Sequence, residues 1–220
     1  MLRAGWVAYA VVSLAYLLCA ALAPGVLSRA LQIALMPPLA LVLIGRLRTL
    51  DRGTPAGGTT PRPDRLIRWA LAALVFSWLG DTVPNIAPDP DLALIAMFCG
   101  AQICYVAGFW PFRRRSVLYR RRGFLLVYLA AAAAVVAAIW PHAGVLRPAV
   151  AVYGVLLMTM ATSATGLGRL GTLGGLCFLT SDSMIGLGIF GVTAPYGVTA
   201  MLLYIAAQGL LVWAVTTRDG

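Results

Sequence analysis

Eight stretches of about twenty predominantly apolar residues follow one another along the chain, at 4–23, 27–45, 66–86, 91–110, 123–140, 145–165, 171–191 and 195–215. A helix rising 1.5 Å per residue needs roughly twenty residues to cross the hydrocarbon core of a bilayer, so each stretch has the length of one membrane span. In lipid every backbone amide must be satisfied within the segment, which leaves helices as the way to use such runs. The expected fold class is therefore all-α: a polytopic membrane protein forming one compact domain, a bundle of eight transmembrane helices over residues 1–220. With 61% hydrophobic and 11% charged residues, the composition agrees. The first run ends in Ala-Leu-Ala and resembles a signal peptide, but the further spans and the charge pattern favour a retained first helix.

Local sequence refines this outline. The second run contains Met36-Pro37-Pro38 and is expected to kink there, because Pro37 removes a backbone donor. Residues 49–65, rich in Gly, Pro and Thr, read as a flexible cytoplasmic connector. "GLGRLGTLGG" at 166–175 lacks the preceding strand of a dinucleotide loop and reads as a tight turn between the sixth and seventh runs.

Charge sets the orientation. All 17 basic residues are arginines, and with the N-terminus inside, fifteen of them fall on the cytoplasmic side, leaving only Arg29 and Arg147 outside. Positive residues collect on the cytoplasmic side of spans, so both termini are expected in the cytoplasm, in a bacterial plasma membrane. The net charge of +10 is thereby spent on membrane flanks and gives no nucleic-acid patch. Cys19, Cys99, Cys104 and Cys177 lie inside apolar runs without metal-ligand spacing and read as packing residues; no metal or other cofactor is expected.

Two carboxylates stand out against this background. Asp81 follows "LVFSWLG", in which only Ser77 is polar, and Asp182 sits within "LCFLTSDSMIG" beside Ser181 and Ser183. An ionisable group at mid-membrane costs about 3 kcal/mol on insertion scales, while Ser, Thr, Asn or Gln would join helices more cheaply, so the pair points to function. The two acids also echo one another. Asp81 is followed after 24 residues by Tyr105 and Asp182 after 22 by Tyr204, which hints at two four-helix repeats of parallel orientation. Ser77 and Asp81, Gln102 and Tyr105, and Tyr204 and Gln208 each share a helix face and are expected to point inward, together or toward a wet cavity. Neither a serine-hydrolase elbow nor a zinc-protease or nucleotide-binding signature is present.

The segments "LGD" at 79–81, "FCGAQICY" at 98–105, "GLCFLTSD" at 175–182 and "YIAAQGLL" at 204–211 resemble the YhhN-like membrane proteins, which include the lysoplasmalogenases. The resemblance runs from about Gln32 to Gln208. It implies an eight-span bundle and hydrolysis of the vinyl ether bond of lysoplasmalogens to a fatty aldehyde and a glycerophospho-alcohol, with Asp81 and Asp182 as the corresponding catalytic acids. Its partners would be a lysophospholipid or other ether lipid substrate and the surrounding membrane lipids. Two departures bear on headgroup preference: many members carry Lys-Pro in the second span, where this chain has Gln32-Ile33 or Met36-Pro37-Pro38, and many carry His at the place of Gln102.

Vinyl ether hydrolysis suits paired carboxyls. The reaction begins with protonation of the β-carbon and gives an oxocarbenium ion that water captures. Desolvation and a neighbouring carboxylate both favour the protonated form of a carboxyl, so one of a pair serves as acid while its ionised partner stabilises the cation and activates water. Ser77, Gln102, Tyr105, Ser181, Tyr204 and Gln208 are the expected substrate-binding residues. The competing reading is a small proton- or cation-coupled transporter using Asp81 and Asp182 as ion sites.

Overall fold

The computed structural model describes residues 2–53, 64–120, 122–193 and 197–217; among them every regular element is helical. The elements are α1 (Leu2–Leu22), α2 (Val26–Ile33), α3 (Met36–Gly53), α4 (Asp64–Thr82), α5 (Pro90–Phe109), α6 (Val117–Arg120), α7 (Arg122–Ile139), α8 (Arg147–Ala164), α9 (Arg169–Ile189) and α10 (Val198–Thr216). Seven spans are at least 18 residues long and apolar enough to cross a membrane, with α2 and α3 together supplying one of them, and Gly123–Ile139 is a shorter apolar helix. The protein is thus a polytopic helical bundle. The connector at 49–65 lies largely outside the described residues.

The second span corrects the sequence reading. Instead of a kink, the helix stops at Ile33 and restarts at Met36. The amides of Ala34 and Leu35 still find the carbonyls of Ala30 and Gln32, at 3.1 Å each. Pro37 and Pro38 then fall in the first turn of α3, where a missing N–H leaves no bond unmade.

A second correction concerns the glycines at 166–175. The turn is confined to Thr165–Gly168, where Gly168 takes a φ of 92°, and α9 begins at Arg169. The later glycines are helical. A Cβ on Gly171 would lie 2.3 Å from the Ala164 carbonyl oxygen, and one on Gly175 would lie 3.0 Å from that of Ala161. These positions let α9 lie close against α8 straight after the turn.

The helices pack in the same sequential order in both halves. In the first, α1 packs on α3, α3 on α4 and α4 on α5; in the second, α7 packs on α8, α8 on α9 and α9 on α10. The halves meet chiefly through α5 and α8, with smaller contacts from α10 to α1, α3 and α4. At the centre Tyr105, Phe109, Phe178, Tyr204, Leu39 and Leu43 are fully buried. Outside, Val7, Val11, Leu14 and Leu18 form an exposed stripe along α1, and Phe124, Leu126, Val127 and Leu129 stand exposed on α7. A water-facing surface would make these faces an aggregation hazard, whereas lipid accepts them without cost.

Candidate active site

Asp81 lies in the last turn of α4, and Asp182 lies seven residues before the end of α9. Both are buried, and both border one cavity of about 100 Å³. The remaining wall is mostly apolar, with Phe98 from α5, Val135 and Val136 from α7, Leu157 from α8 and Met201 from α10.

Each carboxylate accepts one amide and one phenol hydrogen bond. Asp81 receives Gln32 Nε2 at 3.0 Å and the Tyr204 hydroxyl at 3.0 Å. Asp182 receives Gln102 Nε2 at 3.4 Å and the hydroxyl of Tyr153. The sources are exchanged in a regular way. Each acid takes one donor from the second span of its own half, Gln32 or Tyr153, and one from the fourth span of the other half, Tyr204 or Gln102. The amide and the phenol trade places between the two sites. The Asp–Tyr echo in the sequence thus takes a crossed form here, because Tyr204 reaches Asp81 rather than the acid of its own half.

The helix breaks serve this geometry. Gln32 is the last residue but one of α2, just ahead of the two-residue gap, so its side chain meets Asp81 from beside the interrupted span. Below Asp81, Asn85 in the short 3-10 turn Val83–Asn85 donates to the Asp81 carbonyl at 3.0 Å and to that of Thr82 at 3.1 Å. These bonds satisfy orphan carbonyls at the end of α4 and fix the backbone that carries the acid. Gly80 is required by close approach: a Cβ there would sit 2.6 Å from the Phe98 ring.

Of the residues singled out in the sequence, Asp81, Asp182 and Tyr204 border the cavity, as does Ser183, whose hydroxyl donates to the Leu179 carbonyl at 2.7 Å. Ser77, Gln102, Tyr105, Ser181 and Gln208 have no exposed surface and lie behind its wall. They form a hydrogen-bonded layer: the Tyr105 hydroxyl donates to Gln208 Oε1 at 2.6 Å, Gln208 Nε2 donates to Ser77 Oγ at 3.0 Å, and Ser181 Oγ donates to the Ala200 carbonyl at 2.8 Å. This layer ties α4, α5, α9 and α10 together beneath the acids. Stacked or edge-on contacts of Tyr105 with Phe109 and Phe178, and of Tyr204 with Phe98 and Phe178, complete it.

Two cavity residues escaped the sequence reading, Gln32 as a partner of Asp81 and Tyr153 as a partner of Asp182. Gln32 carried a signal, since Gln32-Ile33 is one of the two places in the second span, with Met36-Pro37-Pro38, set against the Lys-Pro of the resembling family. Tyr153, in "AVAVYGVLLM", had only its position in the middle of an apolar run. Among the described residues no group of three or more His, Cys, Asp or Glu side chains is placed to hold a metal ion.

Proteins named lysoplasmalogenase from Mycobacterium bovis and Mycobacterium tuberculosis are each 35% identical to this chain over 133 residues, covering 56% of it and 50% of theirs. The chain therefore spans about half the length of the curated relatives it matches. No solved structure matches it. The sequence profile of the YhhN family matches residues 31–215, a stretch that includes both acids and their four hydrogen-bond partners, and on that match the chain belongs to the YhhN family.

Proposed function

We propose that this protein is a membrane-embedded hydrolase that cleaves the vinyl ether bond of lysoplasmalogen-type lipids, with Asp81 and Asp182 as its acid and base. The observation that carries the reading is the placement of two carboxyls, one from each half of the bundle, on the wall of one otherwise apolar cavity. The relatives named lysoplasmalogenase support the substrate class.

The chemistry follows from the pair. The protonated carboxyl gives its proton to the β-carbon of R–CH=CH–O–R′, and the double-bond electrons form the new C–H bond. This leaves an oxocarbenium ion, R–CH2–CH=O⁺–R′, whose charge faces the remaining carboxylate. Water adds to the α-carbon as the carboxylate takes one of its protons, which restores the count of one proton on the pair. The resulting hemiacetal breaks its C–O bond to release the aldehyde R–CH2–CHO and the alcohol HO–R′. Inverting glycosidases handle a related cation with two carboxyls roughly 6.5–9.5 Å apart, which leaves space for water.

Side chains around the acids set their geometry. Gln32 and Tyr204 hold Asp81, Gln102 and Tyr153 hold Asp182, and Phe98, Leu157 and Met201 keep bulk water away from the cation. One water needs ~10–15 Å³ of such cavity space, so the cavity takes the reacting bond together with a water while the chain and headgroup extend beyond it. A substrate arriving from lipid fits such a wall. In the membrane, the arginine-rich end of the bundle would face the cytoplasm.

The test is direct. Purified protein incubated with lysoplasmalogens should release fatty aldehyde, and no release from any headgroup class would defeat the reading. Proteoliposomes provide the contrast: ion flux without aldehyde would favour a transporter built on the same two acids.

A further inference from the structure

We infer that the two aspartates have different and fixed tasks: Asp182 is the proton donor, acting through Oδ1, and Asp81 is the carboxylate that faces the cation. The inference rests on the reading of the cavity as a site of vinyl ether hydrolysis.

Hydrogen bonding separates the pair. Asp81 has one donor on each carboxyl oxygen, Gln32 Nε2 on Oδ1 and the Tyr204 hydroxyl on Oδ2, both at 3.0 Å. Donors on both oxygens favour the ionised form, in which the charge is shared between them. Asp182 takes both of its donors on one oxygen. The Tyr153 hydroxyl and Gln102 Nε2 both meet Oδ2, and among the described residues no group donates to Oδ1. Nor is Oδ1 sealed within protein, since the buried side-chain polar atoms without a partner among the described residues are Ser13 Oγ, Gln102 Oε1 and Ser163 Oγ. Asp182 is 8% exposed and borders the cavity, so Oδ1 is the oxygen that opens to it.

A proton on Oδ1 completes that arrangement. Ionised, Asp182 would keep charge on an oxygen with no donor to offset it, whereas protonated it leaves Oδ2 as the acceptor for the two donors already there. Gln102 adds little hold on an anion. Its contact is 3.4 Å, beyond the roughly 2.7–3.2 Å of a good N–H···O bond, and its own Oε1 is buried without a partner. The reaction then runs in one sense. Asp182 gives its Oδ1 proton to the β-carbon, the double-bond electrons form the C–H bond, and the oxocarbenium ion is left facing Asp81. Water adds to the α-carbon as Asp81 takes one of its protons, and the hemiacetal breaks its C–O bond with its hydroxyl proton ending on the departing alcohol. The proton on Asp81 passes back to Asp182 Oδ1 through water in the emptied cavity, and the pair begins again with one proton.

Binding of a charged analogue locates the carboxylate without any need for turnover. The full-length protein in detergent micelles is titrated with a saturated ether, 1-O-hexadecylglycerophosphocholine, and with its counterpart in which a secondary amine, protonated at neutral pH, replaces the ether oxygen. The two probes differ only at the atom that carries the cation's charge. The wild type should prefer the amine, and Asp81→Asn should lower that preference about 10-fold, the scale of one hydrogen bond to a charged group. Asp182→Asn replaces a neutral carboxyl with a neutral amide and should leave the preference within about 2-fold of wild type. Affinity for the ether reports whether each variant still forms the cavity; if Asp81→Asn loses it, Asp182→Asn decides alone. The assignment is overturned by a wild type that does not prefer the amine, by loss of the preference in Asp182→Asn, or by its retention in a folded Asp81→Asn. Aldehyde release keeps the two claims apart. Turnover with a preference that follows Asp182 sinks the assignment alone, and a preference that follows Asp81 without turnover of any lysoplasmalogen sinks the hydrolase reading alone.

Discussion

The Tyr204 hydroxyl donates to Asp81 Oδ2 at 3.0 Å across 123 positions of sequence, joining the last span to the end of α4. Gln102 makes the reciprocal contact with Asp182 at 3.4 Å. Because each acid is held from the opposite half, neither half alone contains a fully ligated carboxylate. The interface between the halves and the proposed active site are therefore the same place, and a change that loosens one should be read out in the other.

Tyr204→Phe isolates one of these bonds. The ring contacts with Phe98 and Phe178 survive, and only the hydroxyl is lost. Net stability should fall by about 1 kcal/mol, the usual scale for one hydrogen bond. If the bond positions Asp81 for chemistry, kcat for aldehyde release should drop ~10-fold or more with KM nearly unchanged. Thermal melting and steady-state kinetics on the same sample distinguish the two effects.

Tyr105→Phe should behave differently. Its hydroxyl bonds Gln208 behind the cavity wall and touches neither acid in the hydrogen-bond network. Removal leaves the buried Gln208 Oε1 without that donor, at a cost of ~1–3 kcal/mol. Melting temperature should fall while KM and kcat per folded molecule stay within about 2-fold; a raised KM would restore the substrate-contact role suggested by the sequence.

What could be read in advance followed from solvent. Spans were legible because lipid demands long apolar helices, and Asp81 and Asp182 were legible because a carboxylate there is costly. Periodicity placed Ser77, Gln102, Tyr105, Tyr204 and Gln208 on inward faces, and all five are buried. It could not say whether an inward group meets a cavity or another side chain, since that depends on how neighbouring helices are set against each other. Tyr153 was hidden for a related reason: a tyrosine in an apolar run has no sequence partner until α8 is packed beside α9. The prolines were visible, but a break and a kink differ in whether the residues before them retain bonding partners, and that is decided by local backbone geometry.

Gly171→Ala probes the tight α8–α9 turn. The added Cβ would lie 2.3 Å from the Ala164 carbonyl oxygen, a backbone atom that cannot swing aside. The substitution should destabilise the protein by about 1–3 kcal/mol. Gly123→Ala is the control, for a Cβ there, also within a helix, meets nothing within 4 Å. Equal melting temperatures for the two variants would contradict the packing described for α9.

Substitution of the acids tests the proposed chemistry most severely. Asp81→Asn and Asp182→Asn should each fold, because an amide has nearly the shape of a carboxyl and is cheaper to bury than a charge. One carbonyl oxygen remains to accept from the Tyr or the Gln that each acid now binds, so each site keeps part of its hydrogen bonding. Aldehyde release should nevertheless fall ~100-fold or more for the proton donor, the scale of general acid catalysis. The double variant should lose little beyond the worse single one, since groups that act as a unit are not additive. A purely structural pair gives the opposite pattern, with lowered melting temperatures and full turnover per folded molecule. Full specific activity in both single variants would remove the two aspartates from the mechanism, whatever the lipid proves to be.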